Sequence, residues 1–264
     1  MANLYFVPTP IGDYKDMTIR GVEVLNNSDM IYCNDISESQ PLLSYYNIVK
    51  PLYCYKGKIL EIIQNIEDDK IISIISDEGY SGIDDDSYEL LNIAIQKKIN
   101  LEVIPGANFL LTGLVSSGIP CDKFLYYGFL NSDNKKDELT KIIDFDKTLV
   151  FYEYQENIEE TLQILSEVFG KRNGVLCISL TLNEEKFIHF VLGDEIVIPE
   201  TNKRIVIVIE GAKKNSAIKA LNDMKIEEHY KYYLEQGFDS KEAMKKVAKD
   251  RGVSKSDIYK VVNC

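Results

Sequence analysis

An α/β fold of two domains with a cleft between them, followed by a helical tail, is what this sequence predicts. Three observations carry it. Short apolar, β-prone runs alternate with stretches of helical period, which argues for parallel βαβ units. Those runs are continuously apolar, as expected of sheets covered on both faces. Beyond Gly211 the chain reads as helices only.

The runs Leu4–Val7, Met30–Cys33, Ile71–Ile75 and Leu101–Ile104 give the strands of a first domain, residues 1–117. Thr18 is placed to cap the helix after the first of them, Tyr88–Ile95 has helical period, and a further helix is expected over Asn108–Ser117. Gly118, Ile119 and Pro120 interrupt the pattern and mark the boundary. A second domain, residues 118–212, holds the runs Phe124–Tyr127, Thr148–Tyr152, Val175–Leu180 and Arg204–Ile209, with a helix from Ile158 to Val168. In the tail, residues 213–264, a helix starts at Ser240 and stops at Gly252, and Ser254 caps another through Val262. This helix–glycine–helix outline has two readings, a helix-turn-helix or a small packed appendage.

The 264 residues are 45% hydrophobic, enough for two cores at ~100–200 residues per domain. The N-terminus shows no basic stretch followed by an apolar one, so no secretory signal is expected. The longest apolar runs, such as Ile205 to Ile209, fall far short of the ~18 residues of a membrane helix. Five scattered cysteines (Cys33, Cys54, Cys121, Cys177 and Cys264), with no CxxC spacing, point to reduced thiols in a cytoplasmic protein rather than a metal site or a disulfide frame. The net charge of −12 is unevenly spread. Residues 213–264 carry 12 Lys/Arg against 8 Asp/Glu, a charge of +4, while the remainder carries 18 against 34, a charge of −16. An acidic body repels polyanions, because phosphate contacts supply most nucleic-acid affinity. Only the tail leans the other way.

Several corners stand out as places for chemistry. In the first, Pro8 and Pro10 fix the backbone after an apolar run, Ile11 follows, and Gly12 permits close approach. Ligands of open α/β sheets bind at such strand ends. In the second, a buried strand ends in Ser76 and Asp77, followed by Gly79. A carboxylate there can accept hydrogen bonds from a ribose or favour a cationic ligand, or it can simply cap the next helix. In the third, Pro105, Gly106 and Ala107 form another strand-to-helix corner, whose helix points its N-terminal amides at the strand ends. No serine–histidine–aspartate ordering, metal spacing or phosphate loop of the Walker kind is present, and His189 and His229 are isolated.

The stretch from Leu4 to Arg20 closely resembles the opening of the 16S ribosomal RNA cytidine-2′-O-methyltransferases, a branch of the tetrapyrrole methylases. The resemblance implies a class III methyltransferase fold. It also implies S-adenosylmethionine in the cleft against Pro8, Pro10, Ile11, Gly12, Ser76, Asp77, Gly79, Pro105, Gly106 and Ala107, and a homodimer. No metal, membrane or duplex DNA is implied, and small-subunit rRNA would be reached through the basic tail. Tyr127–Leu130, Phe151–Glu153, Ile209–Gly211 and the tail around Ser240–Tyr259 fit as well.

Other polar positions depart from the family. Where it has Ala-Glu-Asp-Thr-Arg, residues 33–37 retain only Asp35, which leaves that carboxylate as the candidate catalytic acceptor. The proline after Gly79 is Ser81, and Asp84–Ser87 replaces Ser-Asp-Pro-Gly. Asn131–Asp133 stands for Pro-Arg-Lys, Tyr154–Asn157 for Ser-Pro-His-Arg, and Ile178–Leu182 for Arg-Glu-Leu-Thr-Lys. The replacements are neutral or acidic. Three functions remain open on the sequence: an rRNA 2′-O-methyltransferase, a methyltransferase of the same fold with a small-molecule or peptide acceptor, and a non-catalytic cofactor-binding relative.

Overall fold

The computed structural model describes residues 3–83, 87–131, 133–213 and 221–262. Of the singled-out positions, 84–86, 132 and 264 lie outside the described residues. Contacts divide the chain into Met1–Gly211 and Ala212–Cys264. The larger unit holds two five-stranded sheets, one on each side of the Gly118–Pro120 connection.

The first sheet contains β1 (Leu4–Phe6), β2 (Met30–Cys33), β3 (Leu52–Cys54), β4 (Ile72–Ile74) and β5 (Leu101–Val103), in the order β3-β2-β4-β1-β5. Every pairing in it is parallel. Strand side chains alternate between two apolar layers. Tyr5, Ile31 and Cys33 join Leu25 and Leu43, from α1 (Ile19–Asn27) and α2 (Ile36–Tyr45). Leu4, Phe6, Tyr32, Ile72 and Ile74 join Ile62, Ile63 and Ile66 of α3 (Ile59–Glu67) and Leu90 and Ala94 of α4 (Ser87–Gln96). Thr18 caps α1 as expected, accepting from Gly21 N at 3.0 Å. A 3-10 turn, Tyr14–Asp16, precedes it.

The second sheet contains β6 (Phe124–Phe129), β7 (Thr148–Glu153), β8 (Asn173–Ile178), β9 (Lys186–Val191) and β10 (Ile205–Ile209), in the order β6-β7-β10-β8-β9. Here the expectation of parallel units needs correction. Only β6 and β7 pair in parallel, while β10 runs antiparallel to both β7 and β8, and β8 to β9. The link between β8 and β9 is too short for a parallel crossover, which needs a dozen or more residues. One face of this sheet packs on α6 (Lys135–Lys141) and α7 (Ile158–Phe169) through Leu139, Ile158 and Leu165. The other takes α5 (Phe109–Ser116), with Phe109, Leu114 and Ile11 against Val150, Val175, Val206 and Val208. A Cβ at Gly113 of α5 would lie 2.8 Å from Val206 Cγ1, so the absent side chain sets how closely helix and sheet approach.

β3 and β9 escape the sequence reading. β3 is three half-buried residues after Pro51, and in β9 Lys186, Phe187 and His189 are exposed, so neither shows a continuous apolar run.

The smaller unit contains α8 (Ile226–Glu235), α9 (Ser240–Arg251) and α10 (Lys255–Val262), closed around Met244, Val247, Ala248 and Ile258. Asp239 caps α9, and Gly252 ends it in the left-handed region at φ 65°. His229 is a core residue: Nδ1 accepts from Arg251 Nε at 3.1 Å, and Nε2 lies 3.3 Å from Asp250 Oδ2. Burial pushes its pKa down, as it should for a neutral imidazole beside Arg251. Among the described residues no helix is long and apolar enough to cross a membrane.

Candidate functional site

Because the first sheet is parallel, the segments leaving its strands all emerge at one edge. There the structure ties four corners together. Thr9 N donates to Gly79 O at 2.9 Å and Gly79 N returns a bond to Thr9 O at 3.1 Å. Thr9 Oγ1 donates to Ser76 O, and Ser76 Oγ to Gly79 O. Gly79 holds φ 74°, the left-handed region that a glycine enters without penalty. The β5 corner closes on both of these. Gly106 N donates to the Tyr80 hydroxyl at 3.0 Å, and a Cβ at Gly106 would lie 2.8 Å from Pro8 Cβ. Ala107 O and Ile11 Cγ2 are the atoms nearest Gly79, at 3.8 and 3.6 Å from where its Cβ would be. Pro8, Pro10, Ile11 and Ser76 are buried, and Pro105 is exposed.

Asp77 supplies the fourth tie. Its Oδ2 accepts from Asn34 Nδ2 at 2.6 Å and its Oδ1 from Asp35 N at 3.1 Å. It therefore does not cap α4, which starts ten residues later; it pins the β2 corner to the β4 corner. Asp35 is exposed and caps α2, its Oδ1 accepting from Ser37 N at 2.7 Å and Ser37 Oγ at 2.6 Å. These bonds from Ser37, side chain first, hold its carboxyl below the usual range, so it is ionised at neutral pH. Both fall on Oδ1. Replacing Asp77 by alanine should free the β2 corner and leave Asn34 without its acceptor. We expect cofactor affinity to fall about tenfold by calorimetry, in keeping with the 1–3 kcal/mol cost of a stranded hydrogen-bond partner. An unchanged affinity would separate this carboxylate from the cofactor.

Gly12 is where the two sheets meet. A Cβ on it would run into Leu180 O, with Thr181 Oγ1 at 2.6 Å and Leu182 Cγ at 3.0 Å. Asp13 N donates to Thr181 Oγ1 at 3.0 Å, and Lys203 Nζ bonds Glu78 Oε1 at 2.5 Å. The close approach expected of Gly12 toward a ligand is thus also an approach to the loop after β8. That loop holds Ser179 and Thr181 at φ 52° and 65°, a conformation costly for non-glycine residues and kept only where packing imposes it.

Thr9, Asn34, Tyr80, Glu78 and Lys203 had no signal in the sequence as members of the site. Leu180 and Thr181 did have one: they are the two residues of the Arg-Glu-Leu-Thr-Lys stretch that this chain keeps. The arrangement is a corner of backbone amides and carbonyls edged by Asp13, Asp35 and Asp77, with Glu78 paired to Lys203, a net acidic edge suited to a polar ligand with positive charge. The buried thiols are not reactive groups, since burial pushes Cys33 up to about 11 and Cys177 to about 12. Among the described residues no group of three or more His, Cys, Asp or Glu side chains could hold a metal ion.

Comparison with known proteins places this arrangement in a lineage. The family model "Tetrapyrrole (Corrin/Porphyrin) Methylases" matches residues 3–195. A ribosomal RNA small subunit methyltransferase I of Halalkalibacterium halodurans is 32% identical over 98% of this chain and 93% of its own length. The protein of that name from Bacillus subtilis is 33% identical over the same shares. Among solved structures, the methyltransferase CobJ superposes with a TM-score of 0.61 over 80% of this chain and 95% of its own, at 16% identity, a likeness of fold. The chain therefore belongs to the tetrapyrrole methylases, and it is a methyltransferase.

Proposed function

We propose that this enzyme transfers the methyl group of S-adenosylmethionine to a ribose 2′-hydroxyl of small-subunit ribosomal RNA. The observation that carries the reading is the joining of the Pro8–Gly12, Ser76–Gly79 and Pro105–Ala107 corners into one hydrogen-bonded edge, in a chain that matches the rRNA enzymes over nearly its whole length. Whole-length similarity counts against an acceptor of another class.

In this reading the corner backbone holds the cofactor, and the acidic edge favours its positive charge. Transfer from a sulfonium is an in-line displacement. Positioning supplies much of the acceleration, up to ~7–11 kcal/mol for well-aligned groups. Asp35, exposed and ionised, is the carboxylate that accepts a hydrogen bond from the attacking hydroxyl. The enzyme acts in the cytoplasm as a homodimer. Leu111 and Val115, one turn apart on α5 and 51% and 69% exposed, support such an interface.

Two measurements test the reading. Calorimetry should show saturable binding of S-adenosylmethionine without added metal; no heat at millimolar cofactor would sink it. Tritiated methyl incorporation into 30S subunits lacking the modification should be detectable but slower than with the Bacillus subtilis relative. The replaced stretches at 33–37, 131–133, 154–157 and 178–182 remove charged contacts worth ~1.5–3 kcal/mol each. Incorporation indistinguishable from an enzyme-free control would reject the rRNA acceptor.

A further inference from the structure

The ends of β6, β7 and β8 and the start of β10 share one edge of the second sheet, because β6 to β8 run alike and β10 runs against them. That edge carries a stack. The rings of Phe129 and Tyr154 lie 5.1 Å apart at 19°. Behind them the Arg204 guanidinium sits 5.2 Å from the Phe129 centroid and 4.8 Å from that of Tyr152. Tyr152, which meets Phe129 edge-on, is 4% exposed and Tyr154 is 40% exposed, so Tyr154 is the exposed member of this aromatic group. The next residue, Gln155, lines a cavity of about 570 Å³ together with Ser179, Leu182, Thr201 and Lys203. Its buried Oε1 accepts no hydrogen bond from the described residues. Leu182 belongs to the loop that closes on Gly12, so this cavity adjoins the corner described above.

We infer that Tyr154 is a stacking platform for an unpaired nucleobase of the RNA acceptor, and so a substrate-binding residue. The inference rests on the RNA reading of the function. Every base offers a π-face, and stacking on an aromatic ring needs no phosphate contact. That suits a body with a charge of −16, which gains little from phosphates. A ring already fixed on Phe129 loses little freedom when a base lands on it. The segment that replaces Ser-Pro-His-Arg therefore brings its own mode of contact in place of lost cations.

The chain contains no tryptophan, so Tyr154→Trp introduces a single indole at this position. With the full chain carrying that change, a short single-stranded oligoribonucleotide with an end label should quench the indole saturably, at the concentration where the label's anisotropy reports binding. In methyl transfer, Tyr154→Ser should raise KM for 30S subunits about tenfold with a smaller change in kcat, and Tyr154→Phe should restore it. A thermal melt of the serine variant close to that of the parent shows that the site, not folding, is affected. Anisotropy without quenching, or no RNA binding at all, overturns the platform. So does an unchanged KM in the serine variant, which leaves the rRNA function standing. If no methyl reaches rRNA but quenching occurs, the platform stands and the acceptor assignment falls.

Discussion

Gly12→Val should abolish detectable S-adenosylmethionine binding, a loss of more than about 100-fold by calorimetry. The cause is close packing. The new Cβ meets the backbone oxygen of Leu180, which cannot swing aside as a side chain tip would, and Thr181 Oγ1 stands 2.6 Å away. Relief requires the β1 corner and the loop after β8 to separate. That breaks the Asp13–Thr181 bond and displaces the corner to which Thr9 and Gly79 are tied. Overpacking of this kind costs about 1–3 kcal/mol of stability. For a chain of this size that is a drop of roughly 2–4 °C in Tm per kcal/mol, so the variant should still fold and a melt should show it. Because Ala carries the same Cβ, Gly12→Ala should be impaired in the same direction and to a smaller degree. A folded valine variant that binds cofactor like the parent would mean that the ligand lies elsewhere.

Deleting residues 213–264 should remove measurable affinity for small-subunit RNA while leaving cofactor binding in place. The cause is electrostatic. Without the tail the charge is −16, and 12 of the 30 Lys/Arg go with it. The three helices enclose an apolar core of their own, so the deletion removes a folded unit rather than a strand of either sheet. Binding by the full chain should fall steeply with salt as counterions are released. Filter binding at two salt concentrations, with circular dichroism to confirm that the shortened chain is folded, decides the matter. Equal affinity in the shortened chain would show that the tail supplies no phosphate contacts and overturn this account of the charge.

The sequence by itself determined the scaffold. Strands whose residues are buried on both faces, such as Leu4–Phe6 and Ile205–Ile209, need unbroken apolar runs, and those runs are visible in any listing of the residues. Helix starts were legible because capping is local: Thr18 lies three residues from the amide it accepts from. The corners were legible for the same reason, since proline and glycine declare backbone angles where they stand.

Only the tertiary structure decided how the corners combine. Thr9 meets Gly79, Asp77 meets Asn34, and Gly12 meets Leu180 across separations of tens to more than a hundred residues, and no local pattern encodes such partners. Asp77 could be read as a helix cap until its two acceptor bonds showed it joining strand ends. The mixed direction of the second sheet was hidden because β9 is an exposed edge strand with little apolar burial to mark it. The strained loop at Ser179 and Thr181 was hidden for a different reason. Positive φ is announced by glycine or asparagine, and here packing against the first sheet imposes it on residues that show no such preference.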